Sequence, residues 1–222
     1  MLIGVKRISL HRFQPSSGYL RGYDFHEKME KKNLLGILKA IYNDLHNRNG
    51  VNLYVEHLIR NLPRHFGMHI REKWYGRRFK RCGGNLHVLP GAYIINPHLV
   101  ECGDNFFIGI NNYIQAGGGI VCGNNVMMGP YAMIWTQNHI FADYRKPIWK
   151  QGYEYKPVKI GNDVWIGANV FIMPGANIGN GCVISANSVV GAKSYPDGSI
   201  IAGNPARKIG ERDIPRISQE KE

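Results

Sequence analysis

Cysteine is scarce in this 222-residue chain, and its four cysteines stand far apart, at Cys82, Cys102, Cys122 and Cys182. No two of them have the CxxC spacing of a zinc site or a redox-active dithiol. Reduced thiols in a cytoplasmic protein therefore explain them better than a disulfide framework does. This excludes the small disulfide-stabilised secreted domains, and no metal site is expected.

Long apolar runs are absent as well. No stretch approaches the roughly 20 consecutive apolar residues that a membrane-spanning helix needs. The first residues, MLIGVKRISLHRF, have too short an apolar part for a secretory signal. The chain also lacks the GxxxxGK loop that binds nucleoside triphosphates. We expect a cytoplasmic protein that has no spanning helix and does not use such a nucleotide.

Positive charge is distributed unevenly along the chain. Residues 1–81 contain 17 Lys and Arg against 6 Asp and Glu, a net charge of +11. Residues 82–222 contain 11 Lys and Arg against 10 Asp and Glu, a net charge of +1. The two parts sum to the +12 of the whole chain. The basic character therefore belongs to the first third.

Glycine is plentiful, with 27 residues, and from Ile160 onward it recurs in a six-residue repeat: IGNDVW IGANVF IMPGAN IGNGCV ISANSV VGAKSY. The first position of each hexad is Ile or Val, and the second is small in five of the six. A fixed period of six residues is typical of a solenoid whose short strands stack as a β-helix. We therefore predict a mainly β fold built of parallel strands.

The fourth position of the hexads holds Asp, Asn or Gly in the first five repeats: Asp163, Asn169, Gly175, Gly181 and Asn187. These residues tolerate positive φ, so each hexad can end in a left-handed corner. Three hexads then make one triangular coil, with the first-position side chains inside. Earlier hexads that begin at Cys102 and Cys122 show the same pattern, which predicts that both cysteines pack in the core.

A long insertion interrupts the repeat between Ile134 and Ile160. It contains His139, the one histidine after His98, and the aromatic residues Tyr144, Trp149, Tyr153 and Tyr155. Long loops in compact domains are usually functional or disordered, and the aromatic content favours function. We predict that residues 136–159 form an arm that projects from the solenoid and closes a cleft.

The hexads, together with NHIFAD and IIAGNPARKI, resemble the hexapeptide-repeat acyltransferases. Within that superfamily they are most similar to the sugar O-acetyltransferase branch, which contains galactoside, maltose and polysaccharide acetyltransferases. The resemblance covers Val88 to Gly210. It implies a left-handed parallel β-helix, a homotrimer, and acetyl-CoA bound as the acetyl donor in a cleft between neighbouring subunits.

The same resemblance implies the residues of the site. His139 matches the family's catalytic histidine, and a neutral imidazole, of pKa near ~6.5, is suited to accept the proton of a sugar hydroxyl. Asn111, Asn138 and Trp165 match the acceptor side, although Asn111 also fits a purely structural corner and Trp165 a surface aromatic. Gly109 stands where the galactoside enzymes have an asparagine, which argues against galactoside or maltose as the acceptor.

For acetyl-CoA, the resemblance implies contacts along the later coils. The expected cofactor-binding residues are Trp165, Gly167, Ala168, Ala186, Lys193, Ala202 and Arg207. Small residues would let the pantetheine arm approach the wall, and the two basic residues would meet the phosphates, unless they are merely solvated surface charges. The backbone N–H groups of Gly167 and Ala168 are also candidate donors to the thioester oxyanion.

Helical spacing dominates the first third. The stretch DFHEKMEKKNLLGILKAIYNDLHNRNG predicts a helix with a capping box at Asp24 and Glu27 and a stop at Asn49–Gly50. A second stretch, interrupted by Pro63, has apolar residues at spacing four with Arg and Lys between them: Leu58, Leu62, Phe66, Ile70 and Trp74.

Two interpretations of this region stay open. Residues 51–81 form either a basic amphipathic surface that binds the membrane, or a helical cap with its apolar side on the solenoid and its arginines outward. Nucleic acid is not an expected partner, since no base-reading motif accompanies the charge.

The sequence thus predicts three regions: a basic helical region over 1–81, a left-handed β-helix over 82–204 with the loop 136–159, and a capping tail over 205–222. The predicted function is acetyl-CoA-dependent O-acetylation of a sugar hydroxyl. The acceptor is expected on a lipid-linked or surface polysaccharide precursor, for a capsule or lipopolysaccharide, at the inner face of the cytoplasmic membrane.

Two alternatives remain, an antibiotic O-acetyltransferase of the same fold and a non-enzymatic membrane-docking scaffold. A γ-class carbonic anhydrase is excluded, because it needs three histidines on zinc and only His139 follows His98.

Overall fold

A computed structural model of the protein describes residues 34–46 and 50–213. Most of this chain winds as a parallel β-helix in which each turn contributes one short strand to each of three sheets. Alternate side chains of a strand point to opposite faces, so the fifth and first hexad positions point inward and the sixth points outward. Strands of successive turns pair in parallel, and each sheet forms one wall of a triangular prism.

The strands divide among the three walls and one hairpin. The first sheet contains β1 (Arg81–Cys82), β4 (Val100–Cys102), β7 (Ile120–Cys122), β12 (Val158–Ile160), β15 (Asn177–Ile178) and β18 (Ser194–Tyr195). The second contains β2 (His87–Val88), β5 (Phe106–Ile108), β8 (Val126–Met128), β13 (Val164–Ile166), β16 (Val183–Ile184), β19 (Ser199–Gly203) and β20 (Ala206–Glu211). The third contains β3 (Tyr93–Ile95), β6 (Tyr113–Gln115), β9 (Met133–Trp135), β14 (Phe171–Ile172) and β17 (Val189–Val190). The hairpin consists of β10 (Gln137–His139) and β11 (Tyr153–Tyr155), and short 3-10 helices span Pro97–Leu99 and Ile148–Lys150.

The core of the solenoid is a set of aliphatic ladders along the inner walls. All six first-position residues are buried, as the repeat predicts: Ile160, Ile166, Ile172, Ile178, Ile184 and Val190. Burying one such side chain contributes about 1.5–3 kcal/mol. The pattern shifts in the last coil, where Tyr195 is buried and Ser194 is exposed. This coil is one residue shorter than the preceding one, so Tyr195 pairs with Ile178.

The corners of the coils have the backbone conformation that the fourth hexad position predicts. All five of the predicted corner residues have positive φ: Asp163, Asn169, Gly175, Gly181 and Asn187. Stacked corner side chains also bond to each other along the solenoid, as when Asn169 Nδ2 donates to Asn187 Oδ1 at 2.7 Å. These bonds pair polar groups at the corners, where the strands of the sheets end.

The first coils are longer than the later ones. Equivalent residues lie 20 positions apart in the first coils and 18 apart further on. The additional residues lie at the corner between the third and first sheets. Cys82, Cys102 and Cys122 are in register on adjacent strands of the first sheet. Cys102 and Cys122 are buried, which confirms that they are core residues.

Within the described residues, three helices precede the solenoid: α1 (Leu34–His46), α2 (Gly50–Arg60) and α3 (Arg64–Gly76). The predicted capping box at Asp24 and Glu27 and the stop at Asn49 lie outside the described residues. Pro63 caps α3, as expected of a residue that cannot donate the backbone hydrogen bond of a continuous helix. Among the described residues, no helix is long and apolar enough to cross a bilayer.

The face that the helices turn to the solenoid differs from the prediction. Leu58 and Phe66, expected to pack inward, are 71% and 67% exposed, whereas Arg71, expected outward, is fully buried. Its guanidinium donates to the Val88 carbonyl at 2.8 Å and to three carbonyls at and just beyond the end of α2. The fork of an arginine can satisfy several such orphan carbonyls at once. The helical spacing itself is confirmed, and Trp74 packs against the core. The fully buried face of α3 instead runs through Gly67, Arg71 and Tyr75, one position along from the predicted apolar row.

A reversal of the chain closes the carboxyl end of the solenoid. β20 runs antiparallel to β19 at the edge of the second sheet. It therefore covers an edge whose backbone groups would otherwise be unpaired. Residues 214–222 of the predicted tail lie outside the described residues.

Candidate active site

The candidate site begins where the repeat is interrupted, at the corner between the third and first sheets. The chain leaves the solenoid after β9 and returns at β12. Buried Thr136 anchors the exit: its hydroxyl donates to the Gln115 carbonyl at 2.7 Å and accepts from the Gly118 amide at 2.8 Å. The Lys156 amide fixes the return by donating to the Thr136 carbonyl at 3.0 Å. The root of the insertion is therefore tied to the wall.

Between these anchors the chain forms the His139 hairpin, residues 137–155, which presents the histidine to solvent. His139 is exposed and pairs with Tyr153 in the antiparallel register. The two rings are in contact, with centroids 4.4 Å apart. Asn138 pairs with Glu154 and is also exposed. An imidazole in this position is accessible to a substrate, as an acid–base group must be.

Hydrogen bonds order the tip of the hairpin. The Gln151 side chain donates to the carbonyls of Asp143 and Lys146, both at 2.8 Å, and accepts from the Asp143 amide at 3.1 Å. Large apolar side chains stand out from this tip, with Phe141 71% and Tyr144 94% exposed. Exposed apolar side chains of this size are candidates for contact with another subunit or a ligand.

Trp165 and Asn111 lie on a different part of the solenoid. Trp165 points outward from β13 in the second sheet and is 53% exposed, beside Met127 on the neighbouring strand. Asn111 is an exposed corner residue between the second and third sheets, with φ 54°. Asn111 therefore has the structural corner role, and its exposed side chain is also accessible to a ligand.

The small residues predicted along the acetyl-CoA path lie at that same corner. Ala168 and Ala186 occupy equivalent positions of successive coils between the second and third sheets. The Gly167 amide donates to the Ile184 carbonyl at 2.8 Å. The prediction that this amide stabilises an oxyanion is therefore wrong, because the bond between coils already uses it. Of the predicted pair, the Ala168 amide stays the candidate donor.

Lys193 and Arg207 come together around Tyr195 in the last coil. The Lys193 ammonium lies 5.0 Å from the centre of the Tyr195 ring. Burial raises the pKa of Tyr195, and the positive charge of Arg207 opposes that shift. Ala202 pairs with Arg207 across β19 and β20. The last coil thus has one cation beside Tyr195 and a second on the strand that pairs with β19, and both charges are of the sign that attracts an anionic ligand.

One chain distributes these groups over different walls. The His139 hairpin leaves at the corner of the third and first sheets, whereas Trp165, Asn111 and Ala168 lie on the second sheet or at its corner with the third. In the part of the chain that the structure describes, no hydrogen bond or ring contact joins His139 to any of these three.

Two features near the site are not predicted by the sequence. A groove of about 510 Å³ lies on the outer face of the first sheet, and Lys159, Asn177 and Asp197 are among its lining residues. The outward hexad positions vary from coil to coil, so they give no signal for it. The contact between His139 and Tyr153 is the other feature, and it follows from the antiparallel pairing within the insertion.

Known proteins share both the repeat and the fold. The family model "Bacterial transferase hexapeptide (six repeats)" matches residues 157–192. A putative acetyltransferase of Saccharomyces cerevisiae is 40% identical over 136 residues, which are 60% of this chain and 67% of the yeast protein. The galactoside O-acetyltransferase of Escherichia coli is 34% identical over 143 residues, 64% of this chain and 68% of that enzyme. A solved galactoside acetyltransferase in complex with coenzyme A has a TM-score of 0.64 and 30% identity, covering 78% of this chain and 82% of that one.

The fold and these similarities define the class: the protein is a hexapeptide-repeat acyltransferase with a left-handed parallel β-helix, as the family resemblance implies. Within that class the chain belongs to the sugar O-acetyltransferase branch. The prediction that it is an enzyme is thereby confirmed, and the non-enzymatic scaffold is set aside.

Proposed function

We propose that this protein transfers the acetyl group of acetyl-CoA directly to a sugar hydroxyl, with His139 as the general base. The observation that carries the proposal is the position of His139. It is exposed on a hairpin that departs from the repeat, while the root of that hairpin is tied to the wall. A rigid support with an accessible imidazole is what a positioned base requires.

The chemistry needs one proton to move. The hydroxyl oxygen attacks the thioester carbonyl while the neutral His139 imidazole accepts the hydroxyl proton. A C–O bond forms, the C–S bond breaks as the tetrahedral intermediate collapses, and the imidazolium returns the proton to the leaving thiolate. Acid–base catalysis of this kind contributes about 10²–10⁴ in rate. Orientation of the two substrates and an oxyanion donor, for which the Ala168 amide is the candidate, lower the barrier further.

Each active site in this proposal lies between two subunits of a homotrimer. The hairpin of one subunit reaches the second sheet of the next, so that Asn138 from one copy and Trp165 and Asn111 from the other contact the acceptor. The exposed tip residues Phe141 and Tyr144 support this arrangement, since contact with a neighbour would remove them from water. A closed cyclic trimer then contains three equivalent sites.

Acetyl-CoA is the proposed donor, as coenzyme A is the ligand in the solved galactoside acetyltransferase structure. Its pantetheine arm would run past the small residues of the second-to-third-sheet corner, and its phosphates would meet the last coil. The residues proposed to contact it are Trp165, Gly167, Ala168, Ala186, Lys193, Ala202 and Arg207. Arg207 pairs with Ala202 across the two strands, which supports a site in the last coil where a phosphate of acetyl-CoA and its pantetheine arm lie close together.

The proposed acceptor is a glycan on a lipid-linked or surface polysaccharide precursor at the inner face of the cytoplasmic membrane. α1 leaves six large apolar side chains exposed: Leu35, Ile37, Leu38, Ile41, Tyr42 and Leu45. Residues 1–81 also have a net charge of +11, and each basic residue near an anionic leaflet contributes about 1 kcal/mol. Apolar groups on a basic segment favour reversible binding to a membrane surface. α3 can cap the solenoid at the same time, because α1 is a separate helix.

The catalytic part is tested by measuring release of free thiol from acetyl-CoA with free, nucleotide-linked and lipid-linked sugars, beside His139→Ala. Acceptor-dependent release that disappears in the variant supports the transferase and identifies the acceptor class. If antibiotics stimulate thiol release and sugars do not, the acceptor is an antibiotic and the proposed glycan acceptor is wrong. Failure to bind acetyl-CoA would refute the proposed chemistry.

The membrane part is tested separately, by sedimentation with vesicles of anionic phospholipid. We expect the wild type to sediment with them at low salt and Leu38→Asp to remain in solution, while Val121→Asp, an outward substitution on the first sheet, still binds. Equal sedimentation of all three proteins would contradict membrane docking through α1.

A further inference from the structure

We propose that Tyr153 is a positioning residue for the general base. Its ring holds the His139 imidazole in one orientation and stabilises the imidazolium that forms when the hydroxyl proton is taken up. This inference rests on the proposed function, in which His139 is the base, and it adds a second side chain to that chemistry.

The contact follows from the backbone of the hairpin. His139 and Tyr153 are directly opposite each other in the antiparallel register, and opposite residues of such a pair have their Cβ atoms about 4.5–5.5 Å apart on the same face. The rings accordingly lie with centroids 4.4 Å apart and planes inclined at 39°. The Ile140 amide donates to the Gly152 carbonyl at 3.0 Å just beyond the pair and continues the ladder. The pairing of the strands therefore sets the contact.

A comparison with another histidine shows what His139 lacks. His87 has a carboxylate partner, with Nδ1 2.7 Å from Glu72 Oε1. Within residues 34–46 and 50–213, no carboxylate forms an ion pair or hydrogen bond with His139. Acidic Glu154 is adjacent to Tyr153 in sequence, but successive side chains of a strand alternate between faces, and its carboxylate lies 3.0 Å from the Lys156 ammonium.

The aromatic ring of Tyr153 can orient the His139 imidazole and stabilise its charged form, which are the two roles that a carboxylate partner has for other histidines. The face of an aromatic ring attracts a cation, and at an exposed site this favours the charged form by about two- to fivefold. Contact with a ring also limits the rotamers of the imidazole, and misplacement of a catalytic group by about 1 Å can cost two orders of magnitude in rate. Burial raises the pKa of Tyr153 itself, so its hydroxyl stays protonated and adds no negative charge. Tyr155 lies behind it, with ring centroids 6.4 Å apart.

The experiment compares Tyr153→Leu and Tyr153→Phe with wild type in the full-length protein. We expect Tyr153→Leu to lower kcat about tenfold with little change in KM, and Tyr153→Phe, which keeps the ring, to restore it. The acidic limb of the kcat–pH profile should move to lower pH in the leucine variant alone, because the imidazolium has lost its partner. Titration of ¹³C-labelled histidine by NMR, with the His139 signal assigned by its loss in His139→Gln, should show the same movement without any substrate.

Phe107→Leu is the matched control, since Phe107 faces His87 on the solenoid wall with ring centroids 6.1 Å apart. It should leave kcat and the pH profile unchanged. Wild-type kcat and an unmoved His139 titration in Tyr153→Leu, beside an inactive His139→Ala, would overturn this inference and leave the proposed function intact. A wild type that transfers acetyl to no acceptor would overturn both.

Discussion

The solenoid wall and the His139 hairpin use their residues in opposite ways. In the wall, Ile or Val returns every six residues and is buried in each coil. In the hairpin no period continues, and none of residues 137–155 is buried. An inward side chain of the wall is inaccessible to substrates, and an outward one lies on a nearly flat surface. The repeat therefore supplies the buried core, and the interruption supplies the group that we propose as the base.

This difference has a testable consequence. Substitutions in the hairpin should change activity and leave the free energy of unfolding almost unaltered, and substitutions inside the wall should do the reverse. Corner residues such as Asn111 belong to both categories, because they shape the backbone and also face solvent.

The largest expected effect concerns the hairpin. His139→Gln should reduce acetyl transfer by about 10²–10⁴, because the base is lost, and leave the melting temperature unchanged, because the side chain is exposed. His98→Gln is the control, an exposed histidine at the same corner of an earlier coil. Steady-state kinetics gives the rate of acetyl transfer of both variants, and thermal unfolding gives their melting temperatures. Retained transfer in His139→Gln, or equal losses in both variants, would remove the distinction between hairpin and wall.

The next effect concerns the wall. Ile166→Ala should lower the free energy of unfolding by about 2–5 kcal/mol, because it opens a cavity in the aliphatic ladder. Met127→Ala, which shortens an outward side chain on the neighbouring strand, should cost far less. Urea unfolding of both variants gives the two values. Similar losses would mean that the inner ladder is not the main source of stability.

The smallest effect lies at the corner. Asn111→Val should lose about 1–2 kcal/mol of stability, because a β-branched residue is strained at φ 54°. Asn111→Gly adopts that conformation freely and should fold as well as wild type. If Asn111 also contacts the acceptor, KM for the acceptor rises in both variants. An unchanged KM in Asn111→Gly would assign this residue to the fold alone.

Sequence periodicity predicts the wall well because its physical cause is local. Each hexad contributes an inward aliphatic residue at its first position, and the first five also contribute a corner residue at their fourth. Both can be read without knowing the remaining chain. The prediction of burial at Ile166 and of positive φ at Asn169 therefore succeeds. The six-residue pattern of burial is displaced at Tyr195, because that coil is one residue shorter than the preceding one.

Features that depend on distant contacts could not be predicted in this way. Arg71 is buried because carbonyls of α2 and of Val88 converge on it, and nothing in the spacing of α3 indicates that. The Gly167 amide donates a hydrogen bond to the next coil, and a sequence motif does not indicate such a bond. The His139 hairpin was predicted only as an arm, since pairing between His139 and Tyr153 depends on how the insertion folds back.

The most direct test of the account is complementation between two inactive subunits. His139→Ala and Trp165→Ala chains are coexpressed with different tags, and the mixed oligomers are purified through both. If each site takes its hairpin from one copy and its wall from the next, a mixed trimer has one intact site and should recover about one third of wild-type acetyl transfer. Mixed oligomers as inactive as their parents would show that a single chain holds the whole site, and would contradict the shared active site proposed for this enzyme.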